Sequence, residues 1–154
     1  MCRTIGMTDH RQLASDLFNH TWSLLDNDER TKEQDEEMVH AAHASRYHWG
    51  IAGTPKNHAR GEWQIARVYA ALKRFSSSAH HAQLCIDACK MHDFGPFDLA
   101  FANEGLARAL VTNNPTEAKK YLTTARKVGD GIEKEEDQQW LHTNLAEIAA
   151  KIDA

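Results

Sequence analysis

The chain has 154 residues, 42% of them hydrophobic and 26% charged, which is the profile of one ordinary globular domain able to close a core without staples. A formal net charge of −4 excludes the bulk basic footprint of a nucleic-acid binder, and no apolar run approaches the roughly 18–20 residues that span a bilayer. Ten His residues are the one unusual count, and they make the net charge sensitive to pH between about 5 and 7.

The segment Met1 to Met7 contains no apolar stretch of signal-peptide length. The Cys residues are Cys2, Cys85 and Cys89, an odd number with two of them one helical turn apart, which does not make a disulfide framework. A cytoplasmic protein with neither membrane nor nucleic-acid partner is the expectation.

Helix signals dominate, and no alternating run of β-branched and aromatic residues marks a strand. A first helix is expected over about 8–25, with Leu13, Leu17, Trp22 and Leu25 on its apolar face. Asn27-Asp28 breaks it. Thr31 caps a second helix that ends near Gly50, with Gln34 completing a capping box. Thr54 caps a third, with Pro55 at its first position, running to about Leu72 along a stripe of Ile65, Tyr69 and Leu72. A fourth starts at Ser76 or Ser77 and ends near His92. Gly95-Pro96 opens a fifth, reaching about Thr112. Asn114 caps a sixth, with Pro115 first and Glu117 closing a second capping box. A seventh spans about 134–152, with Trp140, Leu141, Leu145, Ile148 and Ile152 inward. Links are short throughout, so consecutive helices must form antiparallel hairpins. The expectation is a single all-α domain over 1–154, with hairpins at about 8–50, 54–92 and 96–130 and a closing helix at about 134–152.

Ile65-Ala66 followed by Tyr69, then Ser78, Ala82 and Cys85 on the next helix, resemble the tetratricopeptide repeat, which places small residues where paired helices cross. Ala118, Leu122 and Ala125 repeat the pattern more loosely about 40 residues after Ser78, against 34 in the standard repeat. The usual Gly of the first repeat helix and the Pro after the second are missing. The tracts His43 to Trp49, Gly53-Thr54-Pro55 and Ala59 to Gln64 also resemble a group of uncharacterised bacterial proteins with tetratricopeptide-like helices, a resemblance that implies no activity. The repeat resemblance implies a short right-handed solenoid of about seven helices whose first-of-pair helices line a concave groove. The acidic start of the seventh helix suits a terminal cap and complements the helix dipole.

Three constellations are candidates for chemistry. Arg60, Trp63 and Arg67 lie three and four residues apart on one helix face, where two guanidinium groups flanking an indole suit a carboxylate or phosphate. The repeat resemblance implies that this face points into the groove, with Asn103 as a further donor, and some tetratricopeptide proteins hold a peptide's terminal carboxylate with a basic clamp. The alternative is that Trp63 is interhelical core and both Arg residues pair with Glu62, Asp98 or Glu104. On the second helix, His40, His43 and Tyr47 share a face and are candidates for a ligand pocket, an internal hydrogen-bonded junction or a metal site. Glu37-x-x-His40 is half of a di-iron pattern, and no second Glu-x-x-His exists. Finally, His81, Cys85, Cys89 and His92 fall along one side of the fourth helix, but one straight helix cannot wrap four ligands around one ion.

No Gly-x-Ser-x-Gly elbow, Gly-rich phosphate loop or Walker lysine is present, so no catalytic residue, cofactor or metal is assigned. The expected function is a non-enzymatic binding module that holds a peptide, a protein partner or an acidic small ligand through Arg60, Trp63, Arg67, Asn103, His43 and Tyr47. The alternative is a His-dependent metal-binding protein or metalloenzyme built on the second helix. Four Trp residues in a short chain also suggest a homodimer face.

Overall fold

A computed structural model describes residues 9–153, so Cys2 and the expected helix start at Thr8 lie outside the described residues. Seven helices follow in order: α1 (His10–Leu25), α2 (Lys32–Ala52), α3 (Pro55–Ala71), α4 (Phe75–His92), α5 (Pro96–Leu110), α6 (Pro115–Gly129) and α7 (Glu135–Asp153). Among the described residues there is no strand, and no helix is long and apolar enough to cross a membrane.

Local chemistry sets most of the boundaries. Asp9 accepts from the Gln12 amide at 3.0 Å and starts α1. At α2, the Gln34 amide donates to Thr31 Oγ1 at 3.2 Å and the Thr31 amide donates to Gln34 Oε1 at 2.8 Å, a reciprocal box that satisfies two otherwise orphaned donors. Thr54 and Asn57 make the same box at α3, behind which Pro55 presets the first helical φ. Asn114 caps α6 through the Glu117 amide at 3.2 Å, but no box closes there. The Glu117 carboxylate meets Lys120 instead, at 3.0 Å.

The start of α4 departs from expectation. Neither Ser76 nor Ser77 caps it; Arg74 occupies the cap without a side-chain hydrogen bond. The cause lies in the helix before it. α3 ends in a Schellman turn, with the Lys73 amide donating to the Ala70 carbonyl at 3.1 Å and the Arg74 amide to the Tyr69 carbonyl at 2.8 Å. Lys73 therefore sits at φ +60°, and the chain re-enters a helix at once.

Consecutive helices pack as adjacent antiparallel pairs. The backbones of α1, α3, α5 and α7 also approach one another in succession, whereas those of α2, α4 and α6 approach only their sequence neighbours; α2 and α4 meet through the His43 and His81 rings, 5.5 Å apart. Small residues permit the close approaches. Ser45 Oγ donates to the Ala14 carbonyl and Ser78 Oγ to the Ala66 carbonyl, each at 2.7 Å, so α1/α2 and α3/α4 are fastened by the same device. Gly129 admits Leu141 of α7, which leaves no room for a β-carbon. Of the positions that carry the repeat resemblance, Ile65, Ala66, Ser78, Ala82, Cys85, Ala118, Leu122 and Ala125 are buried and Tyr69 is half-buried.

Two apolar faces differ from expectation. On α1 the buried residues are Ala14, Thr21 and Leu24, while Leu13 is 38% exposed, because the tight crossing at Ser45 turns the small residue inward and the bulky one to the edge. On α7, Leu141, Leu145 and Ile148 are buried, but Trp140 is 40% exposed.

One polar knot crosses this apolar interior. Glu104 of α5 is 0% exposed, and its carboxylate takes Arg108 Nε at 2.8 Å and stands 3.6 Å from Arg67 of α3. Asn144 of α7 accepts from Arg67 at 2.9 Å and from Arg108 at 3.2 Å, and Glu147 takes Arg108 at 3.0 Å. Burial works against the charge on both Arg residues. At Arg108 the two carboxylates outweigh it and raise the pKa, whereas at Arg67 burial prevails and lowers it. Removing this anion leaves the largely buried Arg67 with no carboxylate partner and Arg108 with Glu147 alone. Glu104→Ala is therefore expected to cost about 3–5 kcal/mol, read as a lower urea midpoint with an unchanged m-value.

Candidate functional site

A cavity of about 190 Å³ opens on the row formed by the odd-numbered helices. Its walls are Phe18 and Trp22 from α1, Trp63 from α3, Phe97 and Phe101 from α5 and Trp140 from α7, with Cys85 of α4 behind them. The rings touch one another. Phe101 and Trp140 have centroids 4.5 Å apart, Phe97 and Phe101 4.9 Å, Trp22 and Trp63 5.5 Å, and Trp63 and Trp140 6.1 Å. Three of the four Trp residues of the chain thus meet in one place. Trp49, the fourth, is buried elsewhere with the Arg11 guanidinium 5.5 Å from its ring centroid, so Trp140 is the one Trp that is substantially exposed.

A single ion pair borders this aromatic box. Arg60 donates from Nε to Asp98 Oδ1 at 2.8 Å and from Nη2 to Asp98 Oδ2 at 3.1 Å. Asp98 is buried while the Arg60 side chain is 46% exposed, with its guanidinium 5.6 Å from the Phe97 ring centroid. The Asp98 hydrogen bond raises the Arg60 pKa against the opposing effect of burial. Asp98 occupies one edge of the guanidinium fork, and Nη1 has no partner among the described residues. The indole Nε1 of Trp63 is also buried without a hydrogen-bond partner.

The three groove residues expected on α3 therefore part company. Arg60 and Trp63 border the aromatic cavity, with Trp63 largely interhelical, as the packing alternative allowed. Arg67 is committed to the Glu104 knot and lines a different cavity. Asn103 is buried, and its amide donates to the Leu99 carbonyl at 2.9 Å. Phe18, Phe97 and Phe101 were not singled out in the sequence, and Trp22 and Trp140 were read only as apolar-face residues of the first and seventh helices; Phe18 with Trp22 and Phe97 with Phe101 are each spaced i, i+4. Those aromatic pairs on the first and fifth helices were the available signal.

The His-rich face of α2 enters a separate polar cluster. His43 Nε2 lies 2.8 Å from the Tyr69 hydroxyl, and His81 of α4 stacks on Tyr69 with centroids 5.7 Å apart. His81 Nδ1 donates to Glu62 Oε2 at 2.7 Å, and Arg46 Nε donates to Glu62 Oε1 at 3.0 Å. Burial pushes the Glu62 pKa up, but His81 and Arg46 outweigh it and hold the carboxyl below its ordinary range. Burial, reinforced by repulsion from His81 and His40 against a weaker pull from Glu62, lowers the His43 pKa. Tyr47 is 66% exposed and meets only the edge of His48, and His40 is exposed, so the three residues on this face do not converge. On α4, His81 is turned to Glu62, Cys85 and Cys89 are buried free thiols, and His92 stacks outside on Phe94. Among the described residues no group of three His, Cys, Asp or Glu side chains is placed to hold a metal ion.

No family model, curated protein or solved structure matches the chain. What the site does must be argued from its own chemistry.

The lowered His43 pKa has a definite thermodynamic sign. Below the ordinary histidine value of about 6.5, the unfolded chain takes up a proton at this residue that the folded chain resists. Stability is therefore lost as pH falls through that value, while the Glu62 contribution is lost at lower pH, as pH falls through the ordinary carboxylate range and below it. The melting temperature is expected to fall between pH 7.5 and 5.5, and to fall less in His43→Gln. An equal fall in the variant would remove His43 as the cause.

Proposed function

We propose that the protein is a non-enzymatic binding module. In this reading its helices form a short right-handed solenoid of the tetratricopeptide type, with α1, α3, α5 and α7 as the inner wall. Close backbone approach among these four helices, and the lack of it among α2, α4 and α6, support that arrangement. So does the burial of small residues at the helix crossings. The ligand is a peptide, a protein partner or an acidic small molecule.

The observation that carries this reading is the aromatic cavity shared by all four inner helices and bordered by a half-open guanidinium. A space of about 190 Å³ walled by indole and phenyl rings suits one apolar or aromatic side chain rather than a large cofactor. Arg60 supplies the polar end. Asp98 fixes the fork in orientation through two bonds, and Nη1 remains for an incoming carboxylate. An aromatic group carrying an acid satisfies both features. The tight ring contacts keep the box formed before the ligand arrives, which reduces the ordering cost of binding.

The test uses the tryptophans as reporters. Phenylacetate titrated into the full chain is expected to change Trp emission saturably, and phenylethylamine to bind more weakly, because Arg60 repels the ammonium. Arg60→Gln is expected to weaken phenylacetate binding about tenfold, the loss of one charged hydrogen bond; because it also leaves the buried Asp98 without its cation, a melting temperature still well above the titration temperature is the check that the variant is folded. Equal binding of the amine, or an unaffected variant, would sink the role assigned to Arg60.

A further inference from the structure

A second cavity, of about 460 Å³, lies where α3, α5 and α7 end and α4 begins. Its polar lining is cationic: Arg67 and Arg108, and then Lys73 and Lys151. The two Arg residues are balanced by Glu104 and Glu147. Lys73 and Lys151 have no carboxylate partner among the described residues, so their two charges face only the C-terminal ends of α3, α5 and α7 there. Ala70, Ala71 and Phe75 give it an apolar side, and Thr112 adds a hydroxyl.

Lys73, like Asp93 at the end of α4, has a left-handed backbone. It occupies the left-handed position of the Schellman turn at φ +60°, a conformation that glycine adopts freely and that a side chain disfavours. A lysine held there, at the edge of a cationic cavity, keeps a charge at the expense of local backbone comfort. α4 also begins beside this cavity without a side-chain cap, so its first amide donors are not satisfied by Arg74.

We propose that this cavity binds the phosphate group of a phosphomonoester, a dianion matched to the charges of Lys73 and Lys151, with the organic part of the ester against Phe75. The site is distinct from the aromatic cavity and does not rest on the binding reading given for it. The competing account is that the cations only offset the negative ends of α3, α5 and α7. The two differ in what happens when phosphate is added.

Calorimetric titration of the full chain with inorganic phosphate, in chloride buffer at constant ionic strength, is expected to give saturable binding with one site. Lys73→Gly and Lys151→Ala are each expected to weaken it about fivefold to tenfold, the effect of removing one nearby charge. Lys56→Ala, far from the cavity at the start of α3, is expected to leave it unchanged. Lys73→Gly relieves the strained turn, so its melting temperature is expected to be no lower than that of the parent, which separates lost binding from lost folding. Glycerol phosphate and a peptide carrying one phosphoserine distinguish a small ester from a modified protein as the source, and the true source is expected to bind more tightly than phosphate alone. Absence of saturable binding, an undiminished affinity in Lys73→Gly, or an equal loss in Lys56→Ala would overturn the proposal.

Discussion

One buried carboxylate organises this molecule. Glu104 has no contact with solvent and faces Arg67 from α3 and Arg108 from its own helix, while Asn144 of α7 bonds to both. A charge in that position is tolerated only where cations meet it at short range. The requirement is geometric, since α3, α5 and α7 must align at one height for the four side chains to meet. Apolar packing alone would allow the helices to slide, because Ala against Ala is nearly indifferent to small shifts along the axis. The knot thus fixes the register of the inner row. Its cost is visible in two atoms left without hydrogen-bond partners, Arg67 Nη1 and Glu104 Oε1.

That register explains why the two cavities have opposite characters. The odd-numbered helices run parallel, since each is antiparallel to the helix between. Along α3 the order is Arg60 and Trp63, then Arg67, then Lys73. Along α5 it is Phe97 and Phe101, then Glu104, then Arg108, and along α7 it is Trp140, then Asn144, then Lys151. Each helix thus presents an aromatic level, a polar knot and a cationic level in the same order. The knot sits between the cavities, and Asn144 joins them, donating to the Trp140 carbonyl while accepting from both Arg residues. The peptide bonds of three aligned helices add negative character at the cationic end, where the basic residues gather.

Much of the fold was legible in the residues. Seven helices and the caps at Thr31, Thr54 and Asn114 follow from short-range chemistry that a local sequence contains. What escaped depends on contacts between distant segments. The true inward face of α1 was set by Ser45, 31 residues from Ala14. The start of α4 was decided by how α3 ends, not by the serines that follow it. The aromatic box draws on four helices at once, and only its i, i+4 pairs leave a trace along the chain.

Arg67 shows most plainly where periodicity stops. Spacing puts it on the same face of α3 as Arg60 and Trp63, and the structure keeps it on the inner side of the row. Face, however, fixes direction and says nothing about what stands opposite. Arg60 meets a buried acid from one side and solvent from the other, so its charge remains partly available. Arg67, one turn beyond Trp63, meets an acid with no solvent access, and its charge is consumed in holding the helices together. Burial of the partner, rather than the identity of the cation, separates a residue that can receive a ligand from one that supports the wall around it.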